Sequence, residues 1–184
     1  MAFRAVPPGR GVTLVEGASF CLSGAGGDID GERPGARDGL FVGDRRVLSR
    51  CALRVNGEAP APVDHVLDDP ASATFVARAA GARDGSPGPI VVRHRTLGHG
   101  LRDDIGVRNV GAEPTYVEVE VELGADMAPA TSVRSGHVDV DPPCQPVLRV
   151  DNRDHGVDLI RRSGDHRLVL GGVHRDGQPR VAGD

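Results

Sequence analysis

The residues of this chain that could do chemistry are its carboxylates, histidines and cysteines, and each set has a spacing that can be tested. Glycoside hydrolysis needs two carboxyl groups about 5–10 Å apart across the scissile bond. The chain holds 26 acidic residues, among them Asp44, Asp103, Asp104 and Asp126, and no spacing singles out a pair. In a turn-rich chain an Asp is more often a turn or cap residue. Asp28, Asp30 and Glu32 alternate like the start of a calcium loop, but Arg33 stands where that loop requires Gly and Gly39 where it requires Glu. His94 and His99 have no carboxylate or Cys at ligand spacing between them. Cys21, Cys51 and Cys144 are an odd, widely separated set without a CxxC pair, which points away from a disulfide framework and a structural zinc. There is no GxSxG elbow, and Gly24, Gly26 and Gly27 lack the third glycine and the βαβ setting of a dinucleotide turn. No cofactor and no metal are expected.

Whatever positions these groups is built from strands. In 115–123, Val117, Val119, Val121 and Leu123 alternate with Tyr116, Glu118, Glu120 and Glu122, the pattern of a half-buried antiparallel strand. The run 47–55 repeats it, with Cys51, Leu53 and Val55 on one face and Arg50 and Arg54 on the other. Asn56-Gly57 follows, a type I′ turn signal because both central residues need positive φ. Further strands are predicted over 12–15, 19–23, 40–42, 62–67, 73–79, 90–97, 101–110, 137–140, 147–150, 157–160 and 167–170. Turn signals at Glu16-Gly17, Asp84-Gly85, 98–100, 110–114, Ser163-Gly164 and Asp176-Gly177 separate them, at the spacing of a sandwich or barrel. No long window carries a helical stripe. Residues 24–39 read as a long surface loop, and 139–146, with Pro142, Pro143 and Pro146, as a segment leaving the sheet. Phe20, Phe41 and Phe75 fall in strand patterns and are assigned to the core.

Bulk composition agrees. The 184 residues suit one domain, and Gly 26 with Pro 14 favours turns over long helices. All 22 basic residues are arginine, which we read as a genomic compositional bias, and acids are interleaved with them to a net charge of −4. The basic stripe of a nucleic-acid binder and the polybasic patch of a membrane binder are missing. Neither a signal-peptide core nor a membrane-length apolar run is seen, so a cytoplasmic setting is expected. With no Trp and one Tyr, the chain has few of the flat rings on which sugars pack.

Two stretches, taken together, carry a family resemblance. One is 12–20 (VTLVEGASF) followed by Gly27-Asp28-Ile29. The other is 39–50 (GLFVGDRRVLSR) followed by Leu53-Arg54-Val55-Asn56-Gly57. Arg93 to Arg95, Leu101 to Asp104, Arg108-Asn109, Gly124-Ala125-Asp126 and 164–168 then follow in order. From about residue 11 to 175 the chain resembles the N-terminal domain of bacterial glycogen debranching enzymes of the amylo-α-1,6-glucosidase type. In that family the domain is a large β-sandwich ahead of an (α/α)6 catalytic toroid that holds the catalytic carboxylates. Two departures stand out. The family's Asp-Thr-Arg reads Asp44-Arg45-Arg46 here, and the Phe-rich acidic stretch after Asp126 reads Met127 to Arg134.

The expectation is therefore an all-β, mainly antiparallel sandwich, supersandwich-like, spanning 11–184 after a flexible tail at 1–10, with its final hairpin cut short at the C-terminal edge. The resemblance implies a non-catalytic scaffold. Its partner would be an (α/α)6 catalytic domain in cis or in trans, with a glycogen-like α-glucan as a further partner, and neither nucleic acid nor membrane. Asp44, Arg46, Arg50 and Asp126 are the candidate substrate- or partner-facing residues. The competing structural role has Asp44 capping its turn through backbone N–H groups, and Arg46 or Arg50 pairing with Asp44 or another carboxylate. The alternatives in other classes are a free-standing glucan-binding module and an orphan structural or interaction protein.

Overall fold

A computed structural model describes residues 11–81, 87–114 and 116–138 in full, and the backbones of 147–150, 159–163 and 166–170. Three antiparallel sheets build the domain. The first joins β1 (Val12–Glu16), β2 (Ser19–Ser23), β4 (Gly39–Val42), β5 (Arg45–Leu48) and β12 (Ala128–Pro129) in that order. The second runs β10 (Leu101–Arg108), β9 (Ile90–Leu97), β8 (Ser72–Arg78), β7 (Ala61–Asp69). The third runs β13 (Val147–Val150), β11 (Val119–Gly124), β6 (Arg50–Val55), β3 (Ile29–Asp30). A separate hairpin pairs β14 (Leu159–Ser163) with β15 (His166–Leu170).

The core lies between the second sheet and the other two. Val12, Leu14, Cys21, Leu40 and Leu48 of the first sheet, with Ile29 and Cys51 of the third, pack against Ala73, Phe75 and Leu97 of the second. Leu53 and Val55 close on Ala77 and Val91. Each large side chain buried this way stabilises by about 1.5–3 kcal/mol. The outer face of the first sheet is also covered. Phe41 stacks on Phe20 at 4.5 Å between ring centroids, and both lie under α1 (Ala130–Ser135) through Ala128 and Val133.

The all-β expectation holds, and so does the type I′ turn: Asn56 and Gly57 have φ of 54° and 80°. Three details differ. The predicted strand over 47–55 is two strands, β5 and β6, in different sheets. The chain crosses between them at Ser49, whose N–H donates to Gly124 O (2.8 Å) and whose carbonyl accepts from Gly31 N (2.8 Å). Alternation could not show this crossing, because the period of two runs on through it. The 24–39 segment is a surface loop only around 33–37. Ile29 is fully buried in β3, and Gly27, at φ 83°, lies against the Phe75 ring. The 127–135 stretch carries a short helix that no sequence stripe announced; it ends at Gly136 in the left-handed conformation. The N-terminal tail, the Asp84-Gly85 turn, the 139–146 segment, the turn after Ser163 and the chain beyond Leu170 lie outside the described residues.

Candidate functional site

The residues shared with the family motif converge on a corner where the first and third sheets meet. Arg46 points inward from β5 and is 1% exposed. Its Nε donates to Asp126 Oδ2 (3.0 Å), its Nη2 bonds the same oxygen, and its Nη1 donates to the carbonyls of Gly31 (3.0 Å) and Asp38 (3.3 Å). Asp126 is 7% exposed, and its Oδ1 accepts from Ala128 N (3.2 Å). Glycine makes the room. A Cβ on Gly39 would stand 2.5 Å from Arg46 Cδ, and one on Gly31 2.7 Å from Arg46 Nη1. A buried guanidinium is stable only when it is paired and its donors are satisfied, and this socket provides both.

The two departures from the family pattern meet here. Arg45 is the register partner of Pro129 and donates from Nη1 to Met127 O (3.0 Å), while Met127 sits at φ 55°. A left-handed residue with a side chain costs roughly 1–2 kcal/mol, so this corner is held against local strain.

Asp44 does not cap its turn. Its side chain is exposed and makes no hydrogen bond among the described residues; its backbone carbonyl instead accepts from Ala130 N (2.7 Å) at the start of α1. Neither arginine pairs with it. Arg50 is part-buried on the outer face of the third sheet. Its Nη2 donates to Glu122 Oε2 (2.6 Å), its Nε to the same oxygen (3.1 Å), and its Nη1 to Asp30 Oδ1 (3.4 Å). The Glu122 bond raises its already high pKa. Arg33 completes the ladder on Asp30 at 2.6 Å. Of the four candidate residues, the structure pairs Arg46 with Asp126 and leaves Asp44 and Arg50 outside that pair.

A second charged cluster, between the layers, was not singled out from sequence. Arg93 and Arg95 occupy inward positions of β9, on the same face as Val91 and Leu97. Asp103 lies directly across from Arg95 in β10. Arg95 grips it as a fork, Nε to Oδ1 (2.7 Å) and Nη2 to Oδ2 (2.8 Å). Arg93 reaches Oδ2 from Nε (2.8 Å) and Nη2, and its Nη1 donates to Asp28 Oδ1 (3.0 Å). Arg95 also lies over the Phe75 ring, 5.8 Å from its centroid. Burial alone would raise the Asp103 pKa, but the charges and hydrogen bonds of Arg95 and Arg93 outweigh it and hold the group well below the usual carboxylate range. Cys51 accepts from Arg93 Nη2 at 3.1 Å, and Cys21 lies 3.8 Å from Arg95 Nη1, so two thiols distant in sequence share one site. Burial pushes Cys21 up to about 11 and raises Cys51 as well, which keeps both protonated and poor nucleophiles at neutral pH. The cluster was legible in principle. Counting outward from the 98–100 turn pairs residue 95 with 103, and an arginine repeating at the parity of Val91 and Leu97 asks for a buried carboxylate.

The rejected motifs are accounted for. Asp28 is held by Arg93 and Leu53 N, Asp30 by Arg33 and Arg50, and Glu32 accepts from Ser49 Oγ (3.1 Å). His94 bonds Thr74 Oγ1 (3.0 Å) on the outer face of the second sheet.

The fold is a layered, mostly antiparallel β domain whose buried charges are locked into ion pairs. The chain belongs to the family described as the N-terminal domain of (some) glycogen debranching enzymes, whose model matches residues 14–180. No curated protein matches it. Among the described residues, no helix is long and apolar enough to cross a membrane.

Proposed function

We propose that this chain is the non-catalytic scaffold of a cytoplasmic glycogen-debranching enzyme of the amylo-α-1,6-glucosidase type, seating an (α/α)6 catalytic domain supplied in cis or in trans. The observation that carries this reading, together with the family membership, is that the buried carboxylates are already spent. A general acid must hold a proton near neutral pH and a nucleophile must have a free oxygen. Asp103 is held ionised by two guanidinium groups and Asp126 is bonded through both oxygens. The cleft of about 210 Å³ between the layers carries one carboxylate, Asp28, which already accepts from Arg93 and Leu53 N, among apolar walls that include Pro62, Phe75 and Val91.

In this reading Asp44 and Arg50 contribute to the surface offered to the catalytic domain and to one wall of its glucan cleft, while Arg46 and Asp126 hold the corner behind Asp44. The test is debranching of a limit dextrin. The purified chain should release no glucose, and sustained release would overturn the proposal. Asp44→Arg should weaken capture of a co-expressed catalytic domain while leaving the melting temperature unchanged; undiminished capture counts against Asp44 as part of that face. Isothermal titration with maltooligosaccharides should give no heat; saturable binding would favour a glucan-binding module instead.

A further inference from the structure

Among the described residues the second sheet ends on one side at β7 and on the other at β10, and the two edges are built differently. An open edge presents unpaired backbone donors and acceptors, and proteins blunt such edges with prolines, bulges and charges. β7 is blunted: its register with β8 shifts at Pro62/Asp64 and at Leu67/Asp69, and it carries Asp64, Asp68 and Asp69. Elsewhere, β1 gives Val15 N to Pro70 O (2.8 Å), and β3 has only two residues. β10 differs: it has no proline or bulge, and its outward charges, Arg102, Asp104 and Arg108, are of both signs rather than acidic alone. It runs eight residues in unbroken register with β9. Its inward residues Leu101, Ile105 and Val107 remain only half-buried, although Leu101 and Ile105 reach the core clusters.

We propose that β10 is a self-association edge, at which a second copy of this chain pairs antiparallel about a two-fold axis and joins the two four-stranded sheets into one. The argument is one of register. If the core-facing residues are to stay on the core side in both copies, residues of like parity must oppose each other. A pairing centred on Asp103 or Asp104 sets that carboxylate against its own copy, and one centred on Ile105 sets Arg102 against the partner's Arg108. Centring on Val107 brings no opposite charges together. Centring on Gly106 opposes no like charges: Asp104 faces the partner's Arg108, Ile105 faces the partner's Val107, and Gly106 meets its own copy on the axis. An isologous interface makes each such contact twice. Arg108 is exposed and has no ion-pair partner among the described residues, while Asp104 bonds only Arg102 of its own strand (2.8 Å). Asp104 can therefore accept both arginines.

The experiment is sedimentation of the 184-residue chain across a concentration series, with a charge swap. Wild type should move from 19.2 kDa towards twice that mass as concentration rises. Asp104→Arg and Arg108→Asp should each weaken the dimer about tenfold, since cross-strand charge pairs become like-charged at two places. The double variant should recover it. Melting temperatures should stay close to wild type, because both side chains are exposed. Amides of 101–108 should exchange more slowly as concentration rises. A chain that stays monomeric at millimolar concentration overturns the proposal, as does a double variant no better than its parents, or exchange in β10 that ignores concentration.

Discussion

The two buried arginine sites solve one problem in different ways. At the sheet corner a single guanidinium, Arg46, is shared between one carboxylate and two backbone carbonyls. Between the layers two guanidiniums, Arg93 and Arg95, converge on Asp103, with only half-buried Asp28 as a second anion. Backbone acceptors remain when a side chain is changed; a carboxylate does not. The corner should therefore tolerate damage better than the interlayer cluster, although both guanidinium sites are almost fully buried. Removing one partner of a buried ion pair costs about 3–5 kcal/mol, because the other charge stays behind uncompensated.

That comparison can be broken by experiment. Asp103→Asn should have the largest effect, at or above the ~3–5 kcal/mol for one orphaned charge, since two cations lose their common anion; urea unfolding measures it. A loss below ~1 kcal/mol would mean that water or Asp28 already compensates the pair. Asp126→Asn should cost less, roughly 2–3 kcal/mol, because Arg46 keeps the Gly31 and Asp38 carbonyls and an amide oxygen; an equal or greater loss would reverse the ranking.

Titration sharpens the difference further. The Asp103 pKa is lowered in the folded state, so below about pH 4 the unfolded chain takes up its proton first and stability drains away with falling pH. Cys21 behaves oppositely. Its pKa rises from 9.0 to about 11 on folding, so the stability it contributes is complete below pH 9 and is lost as pH climbs through 11, roughly 2–3 kcal/mol in all. Cys21→Ser should flatten the alkaline limb of the stability profile and leave the acid limb unchanged. The smallest effect belongs to Asp44→Ala, within about 0.5 kcal/mol by thermal melting, because its side chain bonds nothing among the described residues.

Much of the fold was legible because strand alternation is local. β2 was read to the residue, and the faces of β6 and the Asn56-Gly57 turn follow from side-chain period and glycine chemistry. The site was legible only in part. The motif located Arg46 and Asp126 but left open whether Arg46 pairs with Asp44, its neighbour in sequence, or with another carboxylate. The true partner is 80 residues away. The interlayer cluster went unread because an arginine at an inward strand position looks like an interruption until its cross-strand carboxylate is counted. The Ser49 crossing was hidden because a strand that changes sheets keeps its alternation.

The sequence by itself determined the secondary-structure class, most strands, the key turn and the family, since these depend on the period of side chains and on residue order along the chain. Only the tertiary structure decided which carboxylate each arginine meets, that Cys21 and Cys51 both lie against Arg95, and that Gly27 and Ile29 turn inward. Those outcomes depend on which distant segments the sheets bring within hydrogen-bonding range, and a buried charge accepts whichever partner the packing supplies.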